Sequence, residues 1–156
     1  MGNDRSFIKR AIEIAGNGIN EGGGPFGALI TIDDKIIAEA SNSVVLSRDP
    51  TAHAEIIAIR NASKILRTHD LSDCVIYTSC EPCPMCLGAI YWSGIKKVVY
   101  ASDRFDAAAA GFSDKLIYDE MVRNPDERKI TFLHIPDAGG KKVFKQWIDY
   151  ENRISY

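Results

Sequence analysis

The sequence contains no apolar stretch that approaches the roughly 20 residues needed to span a bilayer, and its first six residues, MGNDRS, lack the apolar core of a signal peptide. No run of Lys and Arg stands out, and 19 basic against 21 acidic residues give a net charge of −2. A phosphate backbone is therefore a poor main partner. We expect a cytoplasmic protein that binds neither nucleic acid nor a membrane.

Internal repeats, low-complexity segments and linkers are also missing, so the 156 residues predict one domain, spanning 1–156. Hydrophobic residues make up 46% and charged residues 26%, which is the balance of a globular protein. Cysteine is scarce, and the four cysteines fall within 13 residues, at positions 74, 80, 83 and 86. This spacing is poor for a disulfide framework and favours a metal site or catalysis.

Periodic patterns predict the elements of the first half. Apolar residues at three- and four-residue steps indicate a helix over 7–19. Two short apolar runs, 26–32 and 35–40, flank Asp33-Asp34 and indicate a β-hairpin. Asp49-Pro50 resembles an N-cap followed by proline at the first helical position, which predicts a second helix from there to Leu66.

The second half of the sequence continues to alternate between predicted strands and predicted helices. The patterns predict strands at 74–79, 97–101 and 131–135, and helices at 83–92, 116–122 and 143–154. Strand, helix and strand in succession require a crossover and parallel pairing, which is typical of an α/β layered domain. Trp92 and Trp147 are expected in the core.

Two short segments carry a recognisable chemical pattern. His53-Ala54-Glu55 is followed by Pro82-Cys83-Pro84-Met85-Cys86, and H-x-E with P-C-x-x-C is the signature of zinc-dependent deaminases. A catalytic zinc has three protein ligands and keeps a further position for water. His53, Cys83 and Cys86 supply those three ligands.

Glu55 is predicted to move protons. Residues two apart do not share a face of a regular helix, so His53 and Glu55 reach one site only at the helix entrance. A carboxylate beside the metal takes a proton from water and passes it to the substrate, which is general acid–base catalysis. Cys83 and Cys86 are placed at a helix N-terminus, whose positive end favours the thiolate.

The other cysteines leave alternatives open. Cys80 could supply the fourth ligand of a structural zinc site. The spacing of Cys80, Cys83 and Cys86 is similar to that of an iron–sulfur run, although position 90, where the next cysteine is expected, is Ile. We expect Cys74 and Cys80 to pack as small apolar residues.

The blocks DPTAHAEIIAIRNAS (49–63) and TSCEPCPMCLGAIYW (78–92) resemble the cytidine deaminase superfamily. Within it, GGPFGA (23–28), GAIYW and AGF (110–112) resemble the short bacterial guanine deaminases. The resemblance covers nearly the whole chain. It implies a three-layer α/β/α fold with a five-stranded mixed sheet and one zinc ion per chain.

The resemblance also implies a set of substrate contacts. Asn42 would hydrogen-bond the base, Phe26 would wall the pocket with Ala54 among the contacts, and Asp114 would meet the purine edge as a second catalytic residue. Tyr156 would close over the base. Each of these has a plainer reading: Asn42 could shape its loop, Phe26 could be core, Asp114 could be a first-turn charge and Tyr156 a frayed end.

The implied reaction is the hydrolytic deamination of guanine to xanthine and ammonia, so the partner is a small purine base. Guanosine or cytosine deamination is the nearest alternative, tRNA adenosine deamination is disfavoured by the slightly acidic chain, and a zinc-stabilised binding module is the alternative from a different class. The resemblance further implies a homodimer in which the C-terminal helical segment, about 141–156, is exchanged between subunits.

Overall fold

The computed structural model describes residues 3–136 and 138–155, which divide into two compact units, one ending at Asp114 and one beginning at Lys115. The elements of the first unit are α1 (Asp4–Asn20), β1 (Gly27–Ile32), β2 (Lys35–Ser41), α2 (Val44–Ser47), α3 (Ala54–Leu66), β3 (Val75–Cys80), α4 (Pro84–Trp92), β4 (Lys97–Ser102) and α5 (Arg104–Ala109). Those of the second unit are α6 (Lys115–Met121), a 3₁₀ turn (Pro125–Glu127) and α7 (Gly140–Asp149).

The first unit is built on a mixed sheet in the order β2-β1-β3-β4. β1 pairs antiparallel with β2 and β3, whereas β3 and β4 run parallel and are joined through α4. The predicted hairpin is confirmed, since Asp33 and Asp34 connect β1 to β2 with φ of 46° and 59°. Two positive φ values in a two-residue loop are those of a type I′ turn.

The side chains of β1 and β3 alternate between two apolar cores. Leu29 and Tyr77 pack with α1 on one face of the sheet. Ala28, Ile30 and Ile76 pack with α3 and α4 on the other. The predicted α/β/α layering is therefore present within the first unit.

The expectation of a fifth strand is wrong: within the described residues the sheet has four strands. Residues 131–135, for which a strand was predicted, have no regular secondary structure and are exposed, and they pair with no strand that the structure describes. They belong to the second unit, whose described elements are all helical. A run of β-prone residues forms a strand only beside another strand that completes its hydrogen bonds, because β-propensity depends on context.

The start of α3 also differs from the prediction. The helix begins at Ala54 with His53 as its N-cap, not at Asp49-Pro50. The Asp49 carboxylate instead accepts hydrogen bonds from the backbone N–H and the hydroxyl of Thr51, at 2.8 and 2.7 Å, which makes a local turn. This turn and the short helix α2 occupy the segment where a loop and the first helical turn were predicted.

Both tryptophans are more exposed than predicted. Trp92, at the end of α4, is 71% exposed, and its assignment to the core is wrong. In the second unit, α7 is strongly amphipathic, and that unit by itself leaves Val143, Phe144 and Trp147 uncovered. Among the described helices, none combines the length and the apolar character that crossing a membrane would require.

Candidate metal centre and active site

Two helix entrances present the predicted metal ligands. His53 is the N-cap of α3 and Cys83 is the N-cap of α4, both with extended backbone (φ −70°, ψ 152° and φ −66°, ψ 169°). Their carbonyls accept helical hydrogen bonds, but neither side chain caps its own helix. Pro84 holds the first position of α4, as predicted, and Cys86 lies in the same turn. The three side chains are thereby free to face one another.

The distances between these ligand atoms fit a zinc ion. His53 Nδ1 lies 3.5 Å from the Sγ atoms of both Cys83 and Cys86, and the two Sγ atoms are 3.5 Å apart. Tetrahedral zinc with its usual bond lengths requires N···S and S···S separations of about 3.6 and about 3.8 Å. The observed triangle is close to one face of that tetrahedron, and three protein ligands is the number found in catalytic zinc sites.

The charges of the two thiols also favour a cation. The pKa of Cys83 is lowered to about 4, chiefly by its hydrogen-bond contact with the Cys86 thiol and also because His53 lies beside it. The same contact, together with burial, raises the pKa of Cys86. A divalent cation between the two sulfurs would favour both thiolates at once, because metal binding displaces the protons of its cysteine ligands.

Cys80 lies outside the ligand group, which among the described residues consists of His53, Cys83 and Cys86. Its thiol is buried and donates to the carbonyl of Asp103 at 3.4 Å. Burial raises the pKa of Cys80 to about 11, so it is a neutral thiol at physiological pH. Cys74 is buried in the core as well. This placement agrees with apolar packing and not with a four-cysteine site.

Glu55 lies beside the metal ligands but is not one of them. It is only 5% exposed, and burial raises the pKa of its carboxyl group. The Thr78 hydroxyl is 3.3 Å from Glu55 Oε1, and Cys86 also hydrogen-bonds this carboxyl group. Sequence reasoning missed Thr78. Strand alternation could have found it, because Thr78 and Cys80 are two residues apart on β3 and so share the face that meets α3.

The structure brings Phe26 and Asn42 together where β1 begins and β2 ends. The Asn42 N–H donates to the Phe26 carbonyl at 2.9 Å, and the Phe26 ring meets Phe112 edge to face with 5.0 Å between centroids. The preceding glycines are needed here. A Cβ on Gly23 would come 2.4 Å from the Asn42 carbonyl oxygen, and one on Gly24 would come 3.0 Å from its Oδ1.

Asp114 is half-buried and immediately precedes α6. Burial raises the pKa of its carboxyl group, and the negative charge of Cys83 adds to the shift. Ala54 is fully buried and packs in the core between α3 and the sheet. Tyr156 lies outside the described residues.

Comparison with known proteins decides the family. Residues 1–102 match the cytidine and deoxycytidylate deaminase zinc-binding region. The chain belongs to this deaminase family. With the family's zinc-binding region and the His53, Cys83 and Cys86 group in place, it is a zinc-dependent hydrolytic deaminase that fits one zinc ion per chain.

Three relatives from this family show which deaminases the chain is similar to. Guanine deaminase of Bacillus subtilis (strain 168) is 50% identical over 155 residues, 99% of each chain, and its crystal structure superposes with a TM-score of 0.95 over 97% of this chain and 98% of its own. A guanine deaminase from Nitrosomonas europaea is 38% identical over 69% of this chain and 63% of its own, with a TM-score of 0.66. The tRNA-specific adenosine deaminase of Haemophilus influenzae is 38% identical over 69% of this chain and 63% of its own length.

Proposed function

We propose that the protein deaminates free guanine, converting guanine and water to xanthine and ammonia. The observation that carries the proposal is the similarity to B. subtilis guanine deaminase over both units, whereas the tRNA-specific enzyme of H. influenzae is similar over 69% of the chain. The site chemistry supports it, since a zinc-binding triangle lies beside a buried carboxyl group.

The roles of the residues follow from their positions. His53, Cys83 and Cys86 would hold the zinc ion, which when bound would lower the pKa of a water molecule and so activate it for attack at neutral pH. Glu55 takes one proton from the attacking water as the C2–O bond forms and passes it to the ring nitrogen. It then takes the second proton from the new C2 hydroxyl and passes it to the amine as the C2–N bond breaks. The Thr78 hydroxyl, which donates to the Cys80 carbonyl at 2.9 Å, also lies 3.3 Å from one Glu55 oxygen.

Recognition of guanine is assigned to Phe26, Asn42 and Asp114. We infer that the Asn42 amide and the Asp114 carboxyl group hydrogen-bond polar edges of the purine, while Phe26, braced by Phe112, lies against its face. A hydrogen bond lost to the wrong base leaves a buried polar group unpaired, which is how such a pocket discriminates. A contact from Ala54 stays a prediction.

Ammonia release over a panel of guanine, guanosine, cytosine, cytidine and adenine tests the substrate. We expect guanine to give the highest kcat/KM, and a higher value for any other compound would overturn the assignment. Protein treated with a chelator is the matched control. It should keep its circular dichroism spectrum and lose turnover, whereas a zinc-stabilised binding module would unfold.

We also propose a cytoplasmic homodimer in which the segment 141–156 crosses to the partner, so that Tyr156 closes the partner's site. The support is α7, whose Val143 and Phe144 need a surface that their own unit does not provide, and Gly139, whose φ of 87° allows a hinge. Four clustered free cysteines suit a reducing compartment.

Complementation tests the exchange. Glu55→Ala supplies an inactive core with an intact tail, and truncation after Gly140 supplies an intact core without its tail. Refolded together, swapped heterodimers should regain activity, because one site combines the intact core with the other chain's tail. Mixed dimers with no more activity than the separate variants would refute the exchange.

A further inference from the structure

Glu81 precedes the metal ligand Cys83 by two residues, and its carboxylate is held by Arg104. Glu81 Oε2 accepts hydrogen bonds from the backbone N–H and from Nε of Arg104, each at 3.1 Å, and Oε1 accepts one from Nη2. The Glu81 side chain is mostly buried and Arg104 is partly so. A two-pronged guanidinium contact plus a backbone donor fixes both the position and the orientation of a carboxylate.

Two further hydrogen bonds join the C-terminal end of β3 to the chain where β4 ends and α5 begins. The Glu81 N–H donates to the Ser102 carbonyl at 2.9 Å, and the Cys80 thiol donates to the Asp103 carbonyl at 3.4 Å. Asp103 is in turn the N-cap of α5, in a reciprocal capping box with Asp106. The turn that carries Cys83 is therefore fastened to a well-defined helix start, and Arg104 is the first residue of that helix.

The C-terminal end of α5 leads to Phe112 and Asp114, which are assigned to guanine binding. The helix ends at Ala109, the chain turns at Gly111 (φ 92°), and the Phe112 N–H donates to the Ala107 carbonyl at 2.9 Å. Phe112 packs against Phe26, and Asp114 follows two residues later. A rotation of α5 would consequently move both the ring and the carboxyl group that are assigned to guanine.

We propose that Arg104 is a positioning residue which, through Glu81, sets the geometry of the Cys83 turn and of the segment from Phe112 to Asp114 together. The effect on the segment from Phe112 to Asp114 rests on the proposed function, whereas the effect on the Cys83 turn does not.

Arg104→Lys tests the proposal because it keeps the charge and removes the planar fork. Loss of groups that orient metal ligands commonly costs about 10–100-fold in metal affinity or activity. We expect zinc to pass to a chelator about tenfold faster, the visible spectrum of the cobalt-substituted protein to change, and kcat/KM for guanine to fall about tenfold. Arg10→Lys is the matched control, because Arg10 holds Glu39 in the same two-pronged way, at 2.8 Å for each contact, beside the opposite edge strand β2.

The control variant should lower the melting temperature yet leave zinc transfer and the cobalt spectrum unchanged. Equal zinc transfer rates and cobalt spectra for Arg104→Lys and wild type would overturn the proposal, and so would an effect of Arg10→Lys as large as that of Arg104→Lys. If Arg104→Lys does not fold, Glu81→Gln takes its place, with the same expectations and the same refuting results. The two metal readouts stand whether or not guanine is the substrate.

Discussion

Replacing Glu55 by glutamine should remove the proposed proton-transfer group and very little else. The side chain is 5% exposed, and glutamine has nearly the same shape and can still accept the hydrogen bond from Thr78. Burial raises the pKa of the Glu55 carboxyl group, which means that the site disfavours its charge, so a neutral amide adds no desolvation cost. Stability should therefore change by less than about 1 kcal/mol.

The loss of turnover should be large by comparison. A positioned general acid–base group contributes about 10²–10⁴-fold to the rate, which corresponds to about 2.7–5.4 kcal/mol in the activation free energy. Glu55 lies outside the ligand triangle of His53, Cys83 and Cys86, so zinc content should stay at one ion per chain. The expected signature is a full zinc complement, an unchanged melting curve and a kcat reduced at least a hundredfold.

Metal analysis, calorimetry and steady-state ammonia release on the same preparation measure the three quantities. Glu55→Asp is the matched control: it keeps a carboxyl group but withdraws it by one methylene, and so should retain more activity than glutamine. A zinc-loaded Glu55→Gln protein that turned over at the wild-type rate would refute the proton-transfer role. Loss of zinc from the same variant would refute its placement outside the ligand set.

Three further predictions concern other parts of the first unit. Cys80→Ser should keep zinc whereas Cys83→Ser should lose it, and elemental analysis that showed equal loss would mean that Cys80 is a ligand. Asp114→Ala should lower kcat/KM for guanine at least about tenfold while changing stability by no more than about 1 kcal/mol; a lower melting temperature with unchanged kinetics would make Asp114 a structural charge only. The hydrogen bonds from Arg10 lower the pKa of Glu39, so this contact stabilises the fold above the unfolded-state pKa of about 4.3 and is lost as the pH falls through the lower folded-state value. The stability difference between wild type and Glu39→Gln should accordingly shrink in acid, and a pH-independent difference would contradict this assignment.

The metal centre could be predicted from sequence because its geometry is local. Cys83 and Cys86 are three residues apart across a proline-started helix turn, and His53 lies at another helix entrance. Such spacings leave little freedom once the elements exist. Glu81 and Arg104 carry no such pattern. The Glu81–Arg104 pair joins residues 23 apart, and only the parallel pairing of β3 with β4 brings them into contact.

The wrong predictions concern features that depend on contacts with other residues and not on local composition alone. Asp49-Pro50 has the composition of a helix start. The Asp49 carboxylate, however, accepts a hydrogen bond from Thr51 in a local turn, and the helix begins only at Ala54. Residues 131–135 have the composition of a strand, yet a strand depends on a neighbour that composition does not specify. Trp92 was predicted to lie in the core, but its position at the end of α4 leaves the ring exposed.

The N-cap positions of His53 and Cys83 set stability against function. At an N-cap, Ser, Thr, Asp or Asn satisfies an amide of the first turn and contributes about 1 kcal/mol, and neither of these two side chains does so. Helices α3 and α4 therefore lack a side-chain N-cap, and the His53 and Cys83 side chains face each other at the metal site instead. Selection for a more stable chain without regard to activity would favour serine or aspartate at both places, and the first residues it replaced would be those that bind the metal.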